Sequence, residues 1–68
     1  MTVEAISDLL AETALHHGRY EAVAPPHDWW HWYAAYFHAR QNGSTPEGAD
    51  AAAGRYMADV KGVVVSPA

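Results

Sequence analysis

His27-Asp28-Trp29-Trp30-His31-Trp32-Tyr33-Ala34-Ala35-Tyr36-Phe37-His38 holds all three tryptophans of the chain, two of its four tyrosines, its only phenylalanine and three of its five histidines. That is more aromatic area than a single helix contact needs, so the stretch must serve several contacts. Set on a helix at about 100° per residue, Trp29, Trp30, Trp32, Tyr33, Tyr36 and Phe37 cover a sector of roughly 160° centred near Trp29 and Tyr33. His27, His31 and His38 fall within about 40° of one another on the opposite side. The pattern predicts a helix over about 27–42, stopped by Asn42-Gly43, with two neighbours on its aromatic side.

Upstream, Thr2 is an N-cap, and Glu4 and Asp8 complement the helix dipole. Val3, Ile6, Leu10, Thr13, Ala14 and His17 recur at helical spacing, with Leu9 beside them. Gly18 reads as the residue just past the helix end, so the first helix is expected over about 2–17. Arg19 to Pro26 form a connector that Pro25-Pro26 keeps extended. Downstream, Thr45 as N-cap, Pro46 at the first helical position and Glu47 in the first turn start a third helix, expected over 46–60. Ser44 with Glu47 offers a capping box one residue earlier. Ala49, Ala52, Ala53, Tyr56 and Val60 form its inward stripe, with Met57 at the edge. Their small size leaves room for the rings of the central helix. The apolar tail, Val63-Val64-Val65, could dock, form a short edge strand or frame a partner contact. The fold expected is all-α: one domain over 1–68, a small three-helix bundle with an aromatic-rich central helix.

Sixty-eight residues lie near the lower limit for a self-sufficient core. With surplus aromatic surface, this predicts a homodimer or a larger partner protein. The chain has no cysteine, which excludes disulfides, thiolate metal sites and thiol nucleophiles. Eight acidic against four basic residues give a net charge of −4, which argues against nucleic acid as partner. The N-terminal residues carry acid early and no apolar run, and no segment reaches the roughly 20 apolar residues of a membrane span. A cytoplasmic protein without a membrane partner is expected.

The polar candidates gather at the connector. His17 continues the stripe of the first helix and is expected to bond Glu21 or Asp28. Tyr20, Glu21, His27 and Asp28 bracket a loop that must turn back on the central helix, beside Trp29 and Trp30. Pro25-Pro26 should hold His27 and Asp28 toward the connector, Asp28 capping the helix and His27 meeting Glu21 or Tyr20. Trp29 and Trp30 should then turn inward. Such a set can bind a small ligand or move protons. His27 and His31 have metal-ligand spacing, but His38 lies roughly 10 Å beyond His31, so no metal is expected of the trio. No serine sits on a strained turn and no glycine-rich phosphate loop exists, so neither nucleophilic catalysis nor a cofactor is expected.

His17-Gly18-Arg19-Tyr20-Glu21, Pro26-His27-Asp28-Trp29-Trp30, Trp32-Tyr33-Ala34-Ala35-Tyr36, Ala39-Arg40, Gly43-Ser44-Thr45-Pro46-Glu47 and Arg55-Tyr56-Met57 resemble small actinobacterial helical proteins. These are often labelled bleomycin resistance or glyoxalase-like, and the segment is also seen as an extension of vicinal-oxygen-chelate proteins. The resemblance runs from about Leu9 to Val64, with the His-Asp-Trp-Trp run its specific part. In that pattern the position of His31 is commonly acidic. Carried over by position, the polar set is Tyr20, Glu21, His27, Asp28, Trp29, Trp30 and Tyr33. The vicinal-oxygen-chelate fold is built of βαβββ units, which the helical periodicity here does not supply.

Three functions fit. The first is a non-catalytic binding or accessory module that holds a small ligand or partner segment at the connector. The second, implied by the resemblance, is a resistance protein that sequesters a cationic aromatic drug of the bleomycin type. Net charge and tryptophan stacking suit that reading. The third is a minimal enzyme with His27 or His17 as general base against Asp28 or Glu21.

Overall fold

The computed structural model describes residues 1–65. Three helices follow one another, α1 (Val3–Glu21), α2 (Trp29–Gln41) and α3 (Pro46–Asp59), with no strand among the described residues. The fold is the expected all-α three-helix bundle, about 37 × 20 × 18 Å. Among the described residues no helix is long and apolar enough to cross a membrane.

α2 lies between the other two. Its Trp32, Tyr36 and Ala39 are buried, and Ala35, Tyr33 and Phe37 are half-buried around them. The buried face is thus rotated by roughly 80° from the centre expected at Trp29 and Tyr33. Two different neighbours cause the rotation. α1 brings His17 against Trp32 and Tyr33, and His16 against Tyr36. α3 takes the alanine side, where Ala35 and Ala39 share a groove with Ala52 and Tyr56. Trp29 and Trp30, expected inside, remain 54% and 50% exposed, because neither neighbour reaches the first turn of α2 on that side.

α3 buries Ala49 and Ala53 of the expected stripe, with Met57, expected at its edge, fully buried and Ala52 half-buried, while Tyr56 and Val60 are left outside. Of the two possible caps Thr45 is used, its hydroxyl accepting from Gly48 N–H at 3.1 Å. At the other end Val63 donates its N–H to the Met57 carbonyl at 2.9 Å and packs against the core.

α1 departs most from expectation. It runs through Gly18 to Glu21, one turn beyond the expected end at His17. Gly18 has no positive φ and serves as an ordinary helical residue. A glycine inside a helix costs about 1 kcal/mol, whereas burying a large ring contributes about 1.5–3 kcal/mol. Tyr20, buried against Trp32 at 5.7 Å between centroids, therefore carries the helix on. The inward face of α1 is Leu9, Thr13, His16, His17 and Tyr20, with Val3, Ile6, Leu10 and Ala14 exposed. His16 is held inward by the Asp50 carboxylate, 2.8 Å from its Nδ1.

Candidate functional site

The extra turn of α1 makes the site. His17, Tyr20 and Glu21, at i, i+3 and i+4, share one helical face, and the connector folds His27 back against it. The Nε2 atoms of His17 and His27 stand 3.0 Å apart, and the rings meet edge to face at 5.2 Å. His27 Nδ1 donates to the Pro25 carbonyl at 2.8 Å, which fixes its ring. Behind the pair, His17 packs on Trp32 and Tyr33, and Tyr20 packs on His27 at 5.0 Å and on Trp32.

Electrostatics set the protonation. Burial pushes the pKa of His17 down, a trend that Glu21 opposes and His27 reinforces. The Glu21 carboxylate, largely in solvent, lies 3.3 Å from His17 Nδ1. Burial raises the Tyr20 pKa, so its phenol is neutral. The Tyr20 hydroxyl and Trp32 Nε1 are buried, and neither has a hydrogen-bond partner among the described residues. An orphaned buried polar atom costs about 1–3 kcal/mol, so this corner of the core has hydrogen-bonding capacity to spare.

Of the eight expected site residues, five gather around the His17–His27 pair, namely His17, Tyr20, Glu21, His27 and Tyr33, and Trp29 and Trp30 join them through Tyr33. Asp28 stands apart. It occupies the N-cap position of α2 with extended backbone but makes no side-chain cap bond. Its carboxylate instead lies 3.9 Å from His31 Nε2, mostly in solvent. His27 meets Tyr20 and His17 pairs with Glu21, each with one of the two partners expected for it. The histidine trio is dispersed: His27 bonds His17, His31 faces Asp28, and the Asn42 amide donates to the His38 carbonyl. Among the described residues no three His, Asp or Glu side chains converge as a metal cage.

Comparison with known protein families, curated proteins and solved structures gives no match. The site therefore rests on its own geometry.

Trp29 and Trp30 form a surface corner with Tyr33, Trp29 lying edge-on to both at 5.7 and 5.0 Å. Trp29 also lines a cavity of about 410 Å³ with Glu21, Ala24, Pro25, Pro26 and His27. A second cavity, on the other side of His27, is bounded by Asp28, His31, Met57 and Lys61. Pro26 and His27 are the shared wall.

Sequence reasoning missed a second polar group, Glu12 with Tyr36 and Arg40. The Tyr36 hydroxyl donates to Glu12 at 2.5 Å and Arg40 Nε donates to the same oxygen at 2.8 Å. The signal was the position of Glu12, three residues after Leu9 and four before His16, which sets it on the edge of the buried stripe. Nothing local named its partners, 24 and 28 residues away.

Proposed function

We propose that this protein is a non-catalytic binding module that receives a cationic group in the cavity between Glu21 and Trp29. One observation carries the reading: a carboxylate and a half-exposed indole line the same small cavity, walled by two prolines that fix its shape. An ammonium or guanidinium over a tryptophan face gains about 0.5–2 kcal/mol, and a nearby carboxylate adds charge complementarity. The net charge of −4 draws such ligands to the surface. Binding suits the site better than catalysis, because His17 is buried and both ring nitrogens of His27 have partners. The resemblance to bleomycin-resistance proteins makes a bleomycin-type drug a natural test ligand.

Tryptophan fluorescence followed during titration with a bleomycin-type glycopeptide, and separately with an arginine ester, tests the reading. A saturable change is expected. Trp29→Ala should weaken binding several-fold, in keeping with the cation–π range. Glu21→Gln should weaken it less, as befits an exposed carboxylate. No change with either ligand at high micromolar concentration would reject the cation-binding reading.

A further inference from the structure

We propose that His17 and His27 are the protein ligands of a single transition-metal ion of the zinc or copper class, bound between their Nε2 atoms. Each ring is arranged as a metal ligand is. A ligating histidine typically gives its other N–H to a carbonyl or carboxylate, which fixes the tautomer and turns the free lone pair toward the metal. His27 gives Nδ1–H to the Pro25 carbonyl, so its Nε2 carries a lone pair when the ring is neutral. The Glu21 carboxylate beside His17 Nδ1 favours a proton there, which leaves the second lone pair on His17 Nε2. The two Nε2 atoms then face each other at 3.0 Å, a contact that the other His17 tautomer, with its proton on Nε2, closes as a neutral hydrogen bond when no metal is bound.

That single proton is what a metal ion displaces, and with the Nδ1–H of His17 turned to Glu21 the second Nε2 lone pair is free. A metal ion satisfies both lone pairs with the rings neutral. With Zn–N of about 2.0–2.1 Å and a tetrahedral angle, two ligand nitrogens stand about 3.3 Å apart. The pair need open by only a few tenths of an ångström to admit the ion. Imidazole nitrogen suits zinc and copper and does not suit calcium or magnesium.

A second observation points the same way. Tyr20, packed on His27 at 5.0 Å, has a buried hydroxyl with no partner among the described residues. Two imidazoles leave coordination positions for water, and a metal-bound water is a natural partner for that hydroxyl. Cavities open beside His27. The site differs from the sequence spacing of His27 and His31, which the fold does not bring together on one ion. It shares Glu21 and the His27 wall with the cation-binding reading but needs no Trp29, so Trp29→Ala, which should weaken cation binding and leave zinc uptake unchanged, separates the two.

Isothermal titration of the metal-free protein with zinc chloride, run in two buffers of different ionisation enthalpy, tests the proposal. Saturable uptake of one ion per chain is expected, lost in His27→Gln and unchanged in His31→Gln and His38→Gln. Where a proton bridged the pair it is displaced, and the buffer dependence of the heat counts it. Glu21→Gln, a surface change that leaves the fold intact, should weaken uptake about 10–100-fold, as outer-shell changes do. Nitrogen-15 spectra should show zinc shifting the Nε2 signals of His17 and His27. If His27→Gln does not fold, Glu21→Gln and these spectra decide. No uptake at millimolar zinc would overturn the site. So would uptake that survives in a folded His27→Gln, or zinc shifts confined to His31 and His38.

Discussion

Glu12 illustrates how single residues tie this bundle together. Its carboxylate receives the Tyr36 hydroxyl and the Arg40 guanidinium, and Arg40 also donates to the Ser44 carbonyl beyond the end of α2. These bonds favour the carboxylate, so Arg40 first and then Tyr36 hold the Glu12 pKa below its ordinary value of 4.5. Burial, with Glu12 beside it, pushes the Tyr36 phenol upward, so it stays a donor throughout the working range. A carboxylate whose folded pKa is depressed stabilises the fold above its unfolded pKa, and that stability is lost as pH falls through the folded value. Glu12→Gln should therefore be less stable than the native protein at neutral pH, with the gap closing below about pH 4.5. Urea unfolding of both proteins across pH reads that gap. The comparison matters because His17, its pKa lowered by burial, adds a common loss that begins as pH falls below 6.5. Tyr36→Phe keeps the stack on Trp32 and removes one bond to a charged group, at an expected cost of about 2 kcal/mol. The sequence brought His17, Tyr20, Glu21 and His27 into one neighbourhood because a short connector joins them. The Nε2 pairing and the Glu12 network depend on how helices are rotated, which no local spacing reveals.

At the level of elements, start and stop signals were legible wherever the backbone itself enforces them. Gly43 has φ 95°, and with Ser44 it closes α2 by bonds to the Arg40 and Ala39 carbonyls, a left-handed helix end that favours glycine. Gly18 carried the same apparent signal, but Arg19-Tyr20-Glu21 continues the inward face and no residue there requires a positive φ. A Cβ on Gly18 would meet nothing within 4 Å. Gly18→Ala should thus stabilise the protein by about 0.5–1 kcal/mol in thermal or urea unfolding. A loss instead would mean that the last turn of α1, and the site it carries, is not formed in solution. The caps give a paired expectation. Thr45→Ala removes a real cap bond and should cost about 1 kcal/mol. Asp28→Ala removes only a long, exposed pair with His31 and should change stability by no more than a few tenths of a kcal/mol.

For the whole molecule, helix number and class followed from local signals, whereas the faces buried were decided by cross-helix partners such as Asp50 for His16. The outcome is a core concentrated on Trp32, Tyr36, Ala39, Ala49, Ala53 and Met57, while every residue before Leu9 is exposed. The first two turns of α1 are held by helical backbone bonds and by the Thr2 hydroxyl, which accepts from Ala5 N–H at 3.0 Å. α1 and α2 cannot part without exposing Trp32, which packs on His17 and Tyr20, and a domain this small has only about 3–10 kcal/mol in all. Trp32→Ala, at about 3–5 kcal/mol, should therefore leave the chain largely unfolded at room temperature by circular dichroism. Amide hydrogen exchange should be graded rather than uniform. Ala5 to Asp8 should exchange almost as fast as an unfolded peptide, and Trp32 to Ala39 and Ala53 to Met57 only through global unfolding. Strong protection of the first turns would mean that something covers Val3, Ile6 and Leu10. Sedimentation equilibrium at the same concentration would then separate the two explanations. A dimer would identify the cover as a second copy of this chain, and a monomer would show that α1 folds back on its own bundle more tightly than its exposed first turns imply.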